Sequence, residues 1–344
     1  MGLKLLHSAD WHLGSPFGSL APELRDRLRQ AQRRLPGEVA RLVREHRCDL
    51  VLLSGDLLEG NPGKEWVRLL HDAFRDMAVP VMISPGNHDF CSPGSPWLEE
   101  TWPKNVHIFT GPLESLVLPE LDCRVYGAGY SSMDCLPLLE GFRAEGNERH
   151  CVAVLHGDPL VKNSPCCPVT AAQVRDSALC YLALGHIHAA GSFRAGSTLC
   201  GWPGCPMGRG WDETGPKGVY LVTLEDTPRL EQIPLGLPCF YDLTAEIGDN
   251  LEDILPPAAT EDIYRLTLTG LGSADLPGIR KSFSHLALEL VDRTVSPESL
   301  WAQAGDDSFR GVYFRLLRES GSDAAELAAA LSARLLDGSE VVLP

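Results

Sequence analysis

Five short apolar runs between residues 3 and 188 each stop abruptly at a cluster of aspartate, histidine or asparagine side chains. Leu5-Leu6 runs into His7-Ser8-Ala9-Asp10-Trp11-His12, and Leu52-Leu53 into Ser54-Gly55-Asp56-Leu57-Leu58-Glu59. Met82-Ile83 is followed by Ser84-Pro85-Gly86-Asn87-His88-Asp89, Val154-Leu155 by His156-Gly157-Asp158, and Ala183-Leu184 by Gly185-His186-Ile187-His188. Short unbroken apolar runs read as buried parallel strands. Helical patterns separate the first three, from about Pro22 to Arg47 and from Lys64 to Asp76, the former with a break or kink expected at Pro36-Gly37. The first half is therefore α/β. In open α/β sheets ligands bind beyond the carboxyl ends of the strands, so the five clusters can meet in one cleft.

The residue types at that cleft are specific. Carboxylates, imidazoles and an amide oxygen, without thiolate, suit Mn²⁺, Fe²⁺ or Zn²⁺. On extended backbone Asp10 and His12 share a face, and so do His186 and His188 if their segment is extended. Asp10 and Asp56 in one pocket without a cation would repel each other, which makes metal part of the expected stability. His7 reads as structural, and Asp158 as a turn residue or one lying behind the ligands. Glu59 is expected to contact solvent or to lie behind Asp56.

The blocks D-x-H, G-D-x-x-E, G-N-H-D, H-G and G-H-x-H, in this order, resemble the calcineurin-like metallophosphoesterase superfamily. Asp10-Trp11-His12-Leu13-Gly14 and Ala183-Leu184-Gly185-His186-Ile187-His188 are similar to its branch of SbcD-type DNA repair exonucleases. So is the passage Trp202-Pro203-Gly204, Gly208-Arg209, then Glu213-Thr214-Gly215-Pro216-Lys217-Gly218. The resemblance implies a four-layer sandwich of two mixed sheets flanked by helices, with a small C-terminal α+β cap. Asp56 would bridge two divalent ions, Asp10, His12 and His188 completing one site and Asn87, His156 and His186 the other. His88 would protonate or stabilise the leaving oxygen, with Asp89 orienting its ring. The implied activity is phosphodiester hydrolysis in DNA, with Mn²⁺ the expected metal, an SMC-like ATPase of the SbcC type as partner, and a homodimer. The metal ligands alone leave open a small nucleotide or a phosphoprotein as substrate, because the same phosphoryl group reacts in each case.

A boundary falls near Pro238-Cys239, giving a catalytic domain over 1–238 and a capping domain over 239–344. Tyr241–Ile247, Tyr264–Leu268 and Leu286–Val291 read as strands of the second, with helices from about Ser308 to Glu319 and from Asp323 to Leu336. The net charge of −16 argues against a broad adhesive grip on DNA. Its distribution permits a local one. Residues 239–344 hold 18 acidic and 8 basic residues, so −10 of the charge lies there. The stretch Leu24–Arg47 carries eight arginines. They form either a solvated face with i,i+4 pairs or, through Arg29 and Arg33, a contact to the phosphate backbone. Trp11 and Phe17 either stack on a base or roof the pocket. No apolar run approaches the roughly 20 residues that span a bilayer, the N-terminus does not read as a signal peptide, and eleven cysteines lack C-x-x-C spacing. A cytoplasmic protein with reduced thiols and no membrane partner is expected.

Overall fold

The computed structural model describes residues 2–322 and 324–336. It separates into two compact units, Met1–Cys239 and Phe240–Pro344. The first unit contains, in chain order, β1 (Leu3–Ser8), α1 (Pro22–Glu45), β2 (Leu50–Leu53), α2 (Lys64–Met77), β3 (Val81–Ile83), α3 (Pro96–Glu99) and β4 (Val106–Ile108). There follow β5 (Glu114–Leu118), β6 (Cys123–Gly127), β7 (His150–His156), α4 (Ala171–Asp176), β8 (Tyr181–Gly185), β9 (Gly191–Ala195), β10 (Thr198–Trp202), β11 (Gly218–Leu224) and β12 (Arg229–Pro234).

Two six-stranded mixed sheets result, ordered β12-β11-β1-β2-β3-β4 and β5-β6-β7-β8-β10-β9. The apolar runs form their centres: β1, β2 and β3 pair in parallel, as do β6, β7 and β8. Leu3, Leu5, Leu50, Leu52 and Met82 from one sheet and Val125, Val152, Val154, Tyr181 and Ala183 from the other share one core. By strand alternation Leu6, Val51 and Leu53 face the opposite side, where they are also buried. Burial on both faces is why these strands read as unbroken apolar runs. Across the two sheets, Ser84 Oγ donates to the Val154 carbonyl at 2.6 Å. The carboxyl ends of β1, β2, β3, β7 and β8 thus meet along one edge.

Helix α1 starts with Pro22 in its first turn and runs through Pro36 without a break, so the expected interruption at Pro36-Gly37 does not occur. Its apolar stripe, Leu28, Leu35, Val39 and Val43, is buried, and packing on this scale overrides the intrinsic cost of an internal proline.

The second unit is α+β. Strands β13 (Phe240–Glu246), β14 (Ile263–Thr269) and β15 (Ala287–Asp292) form a parallel sheet with α5 (Leu276–Ser282) between the last two in sequence. Helices α6 (Pro297–Ala302), α7 (Phe309–Ser320) and α8 (Ala325–Leu336) follow, with a separate cluster around Leu300, Phe314 and Ala329. The expected helix start at Asp323 lies outside the described residues. Among those residues no disulfide is formed, and no helix is long and apolar enough to cross a membrane.

Candidate metal centre

The backbone shapes this site before any side chain does. Beyond β1 the chain does not continue extended: Asp10 has φ 56° and His12 φ 45°. Asp56 and His186 are also left-handed, at φ 53° and 92°. This corrects the extended geometry expected for the Asp10/His12 and His186/His188 pairs. The loop after β1 instead coils against the loop after β2, with Asp10 N–H donating to the Gly55 carbonyl (3.0 Å) and His12 N–H to the Asp56 carbonyl (2.9 Å). L-residues other than glycine rarely hold positive φ, and where they do, surrounding contacts impose it. Gln32 on α1 supplies two such contacts. Its Oε1 accepts from Gly14 N–H (3.0 Å) and its Nε2 donates to the His12 carbonyl (2.8 Å). Gly86 must be glycine for a different reason, since a Cβ there would collide with Asp56 Oδ1 and the His156 ring.

Onto this frame the side chains converge. Asp10 and Asp56 are each 1% exposed. Three groupings bring ligand atoms within 4.8 Å of one another: Asp10, His12 and His188; His12, Asp56 and His88; Asp10, Asp56 and His156. Asn87 Oδ1 lies 2.9 Å from His156 Nε2, and His12 Nε2 lies 3.2 Å from His188 Nε2. His186 is nearby but outside the three groupings. Its backbone N–H donates to Asp10 Oδ1 (3.0 Å), and its ring stands edge-on to His156 at 5.3 Å.

Each of three histidines is anchored by its other nitrogen. His12 Nδ1 meets Glu59 Oε2 at 2.9 Å, His156 Nδ1 meets the Ser54 carbonyl at 2.9 Å, and His188 Nδ1 meets Glu213 Oε1 at 2.7 Å. At His12 and His156 an acceptor at Nδ1 favours the proton there and leaves the Nε2 lone pair facing the centre, the arrangement that metal-ligating histidines use, while His188 Nδ1 faces both Glu213 and the Arg209 guanidinium. Burial pushes His12 toward its neutral, ligating form. Burial also works against a charged His156, yet Asp56 and Asp10 hold its pKa up at about 9. The pocket demands positive charge, and its oxygen and imidazole donors fit a borderline divalent ion.

A model of the calcineurin-like phosphoesterase family matches residues 3–190. The chain belongs to that family. It is 32% identical over 238 residues to a Bacillus subtilis protein described as the uncharacterized metallophosphoesterase YhaO, a match covering 64% of this chain and 57% of that one. It is 28% identical over 105 residues to the SbcD component of the nuclease SbcCD of Staphylococcus epidermidis, covering 28% of this chain and 26% of that one. The chain thus spans just over half, and about a quarter, of the length of these curated relatives. A crystal structure of the Thermus thermophilus protein TT1561 aligns at 13% identity and a TM-score of 0.40, covering 67% of this chain and 99% of that one.

In this calcineurin-like phosphoesterase two sequence expectations need correcting. Asp89 does not orient His88. Its buried carboxylate accepts backbone N–H groups of Asp56 (3.2 Å), Leu57 (2.9 Å), Leu58 (3.2 Å) and Gly86 (2.8 Å), which saturates it and turns it away from the ring. Glu59 takes that part instead: its Oε1 lies 3.0 Å from His88 Nδ1 while its Oε2 serves His12. Nor can Trp11 stack on a substrate, being 2% exposed with its Nε1 donating to Ser8 Oγ at 2.8 Å. Phe17 is likewise buried. His7 is structural, enclosed between the Tyr181 hydroxyl and Ser54 Oγ at 2.7 Å each. Asp158 shapes a turn, its Oδ1 accepting from Leu160 and Val161 N–H, while its Oδ2 lies 3.9 Å from His186 Nε2.

Arg29 and Arg33 are each 42% exposed on α1; Arg33 pairs with Glu65 at 2.7 Å and lies over the Trp66 ring. Sequence reasoning missed the roles of Arg209 and Glu213. The only signal was the Gly-Arg…Glu passage after the last histidine, which gave no hint of what its side chains touch.

Proposed function

We propose that this chain hydrolyses phosphodiester bonds in DNA with two divalent ions, Mn²⁺ being the first to test. One observation carries the reading: three histidine rings, each anchored at the other nitrogen, aim Nε2 at two buried aspartates. Asp10, His12 and His188 would hold one ion, Asn87, His156 and His186 the other, with Asp56 shared. When bound, such ions polarise the phosphate and activate the attacking water.

The chain's own groups supply the rest. His88 is half-buried, and its Nδ1 is engaged by Glu59, which raises the ring's pKa. Glu59 at Nδ1 favours the doubly protonated ring, and in that form Nε2, the nitrogen Glu59 does not engage, would pass its proton to the leaving oxygen. The His88 backbone N–H donates to Asp56 Oδ1 at 2.8 Å, which ties the backbone carrying the acid to the shared carboxylate.

DNA as substrate draws its support from the partial similarity to the staphylococcal SbcD component and from the arginines of α1. An SMC-like ATPase of the SbcC type as partner, homodimerisation, and a capping role for residues 239–344 belong to the same proposal. The test is a Mn²⁺-dependent assay of linear DNA beside a small phosphodiester, with Asp56→Asn as control. Cleavage of both by the wild type and neither by the variant is expected. Hydrolysis of the small ester alone would move the assignment to a small nucleotide or phosphoprotein substrate. Activity retained in Asp56→Asn would remove the dinuclear centre.

A further inference from the structure

Of the passage from Pro203 to Glu213 only Glu213 has a part in the chemistry assigned so far, yet the whole passage encloses His188. Its backbone grips the histidine first. Cys205 N–H donates to the His188 carbonyl at 3.1 Å, and Gly204, at φ 75°, passes so close to that carbonyl that a Cβ would collide with it. Glu213, only 5% exposed, then holds the ring through Nδ1. Arg209 completes the enclosure. Its backbone N–H donates to Glu213 Oε2 (2.7 Å) and its Nη2 to Glu213 Oε1 (2.8 Å). That Nη2 also lies 3.0 Å from His188 Nδ1. On its other side Nη1 lies 3.8 Å from Glu59 Oε2, the oxygen that serves His12. One planar guanidinium thus stands between the two carboxylates that orient His12, His88 and His188.

The geometry points to Arg209 as a positioning residue that ties Glu59 to Glu213 and thereby aims His12 and His188 at one cation. This rests on the metal-centre reading above. Four carboxylates (Asp10, Asp56, Glu59 and Glu213) crowd this region, and two of them must face histidine Nδ1 atoms and not the cation. A carboxylate free to swing would itself be drawn to a divalent ion and would release its histidine. Arg209 prevents this by offering both carboxylates a cationic partner on the outer side. The fork geometry matters, because a guanidinium presents N–H groups in two directions in one plane whereas an ammonium is a point charge.

The experiment measures Mn²⁺ binding to the metal-free full chain by calorimetry, with steady-state kinetics on a small phosphodiester beside it. For Arg209→Gln a loss of Mn²⁺ affinity of about 10- to 100-fold is expected, the range seen when a partner behind a metal ligand is removed. At saturating Mn²⁺, kcat should fall with KM little changed. Arg209→Lys keeps the charge without the fork; it should still bind Mn²⁺ more weakly than wild type, and it supplies the measurement if Arg209→Gln fails to fold. Wild-type Mn²⁺ affinity in either folded variant overturns the proposal. A raised KM with unchanged Mn²⁺ affinity also overturns it, since Arg209 would then be a substrate contact. A wild-type chain that binds no divalent ion overturns the metal-centre reading and this proposal with it.

Discussion

At the scale of single residues, the site is held by buried groups that never face substrate. Asp89 receives four backbone N–H groups from the turns after β2 and β3. Replacing it with alanine strands those donors in a dry interior, at about 1–3 kcal/mol for the unsatisfied groups even after relaxation. Asp89→Ala should therefore lower unfolding free energy by about 1–3 kcal/mol in urea titration, where an orienting partner of His88 would change activity alone. His7 gives a prediction with a definite sign. Burial depresses its pKa to about 3, against 6.5 in the unfolded chain. Between those values the unfolded state binds the extra proton, so stability is full above pH 6.5 and falls as the pH drops toward 3. Chemical denaturation across that window should show a steeper acid loss in wild type than in His7→Gln. Of these residue-scale features the sequence disclosed only part. The ligand types and their order were readable, because they sit in short motifs. The left-handed backbone at Asp10, His12, Asp56 and His186 was not, because no residue choice announces it. Neither was the partner of His188, since Glu213 lies 25 positions away in the chain.

At the scale of elements, patterning was legible wherever burial was regular. Strands β1, β2, β3, β7 and β8 appeared as apolar runs because both their faces are covered, and α2 appeared because its buried stripe repeats with the helical period. Pro36 misled for a simple reason: a local signal was outweighed by the packing of a long helix. That helix also fixes the metal loop. Gln32 is fully buried, and Gln32→Leu would leave Gly14 N–H without its side-chain partner and the His12 carbonyl held by Ser15 alone. Loss of Mn²⁺ affinity exceeding tenfold is expected in titrations of that variant, with helix content unchanged by circular dichroism. On the solvent side of α1, Arg41 is absorbed by Glu38 and Glu45. Arg29 has a 3.7 Å contact to Asp26 and donates from Nη2 to the Pro16 carbonyl at 3.4 Å. If α1 meets DNA, reversing Arg29 and Arg33 together should lower the slope of log Kd against log salt by about two. An unchanged slope would leave α1 as a solvated face.

At the scale of the whole molecule, two units bury separate cores, one between and around the six-stranded sheets and one around β13, β14 and β15. All candidate ligands lie in the first. Ligand binding stabilises only the part that folds around the ligand, by about 2.7 kcal/mol at a hundredfold excess over Kd. Scanning calorimetry should accordingly resolve two transitions, of which Mn²⁺ raises one and leaves the other in place. A single transition that moves as a whole would mean that the two units unfold as one.

The left-handed ligand positions carry one further consequence, for how such a protein can change over generations. Asp10 and Asp56 hold a conformation that asparagine adopts more readily than most residues, and they hold it while buried and close to each other's charge. Asparagine at either position keeps a residue type that tolerates the left-handed backbone and removes one of the two buried charges. At position 56 the change has a cost: burial works against the Asp56 charge, yet His156 and His12 hold its pKa low, so asparagine there would leave His156 without its partner. Asp10→Asn would remove a candidate ligand and leave that pair in place. Loss of metal and persistence of the fold would therefore be separated by a single codon step at Asp10, the route by which a metal-free descendant of this scaffold could survive as a binding protein.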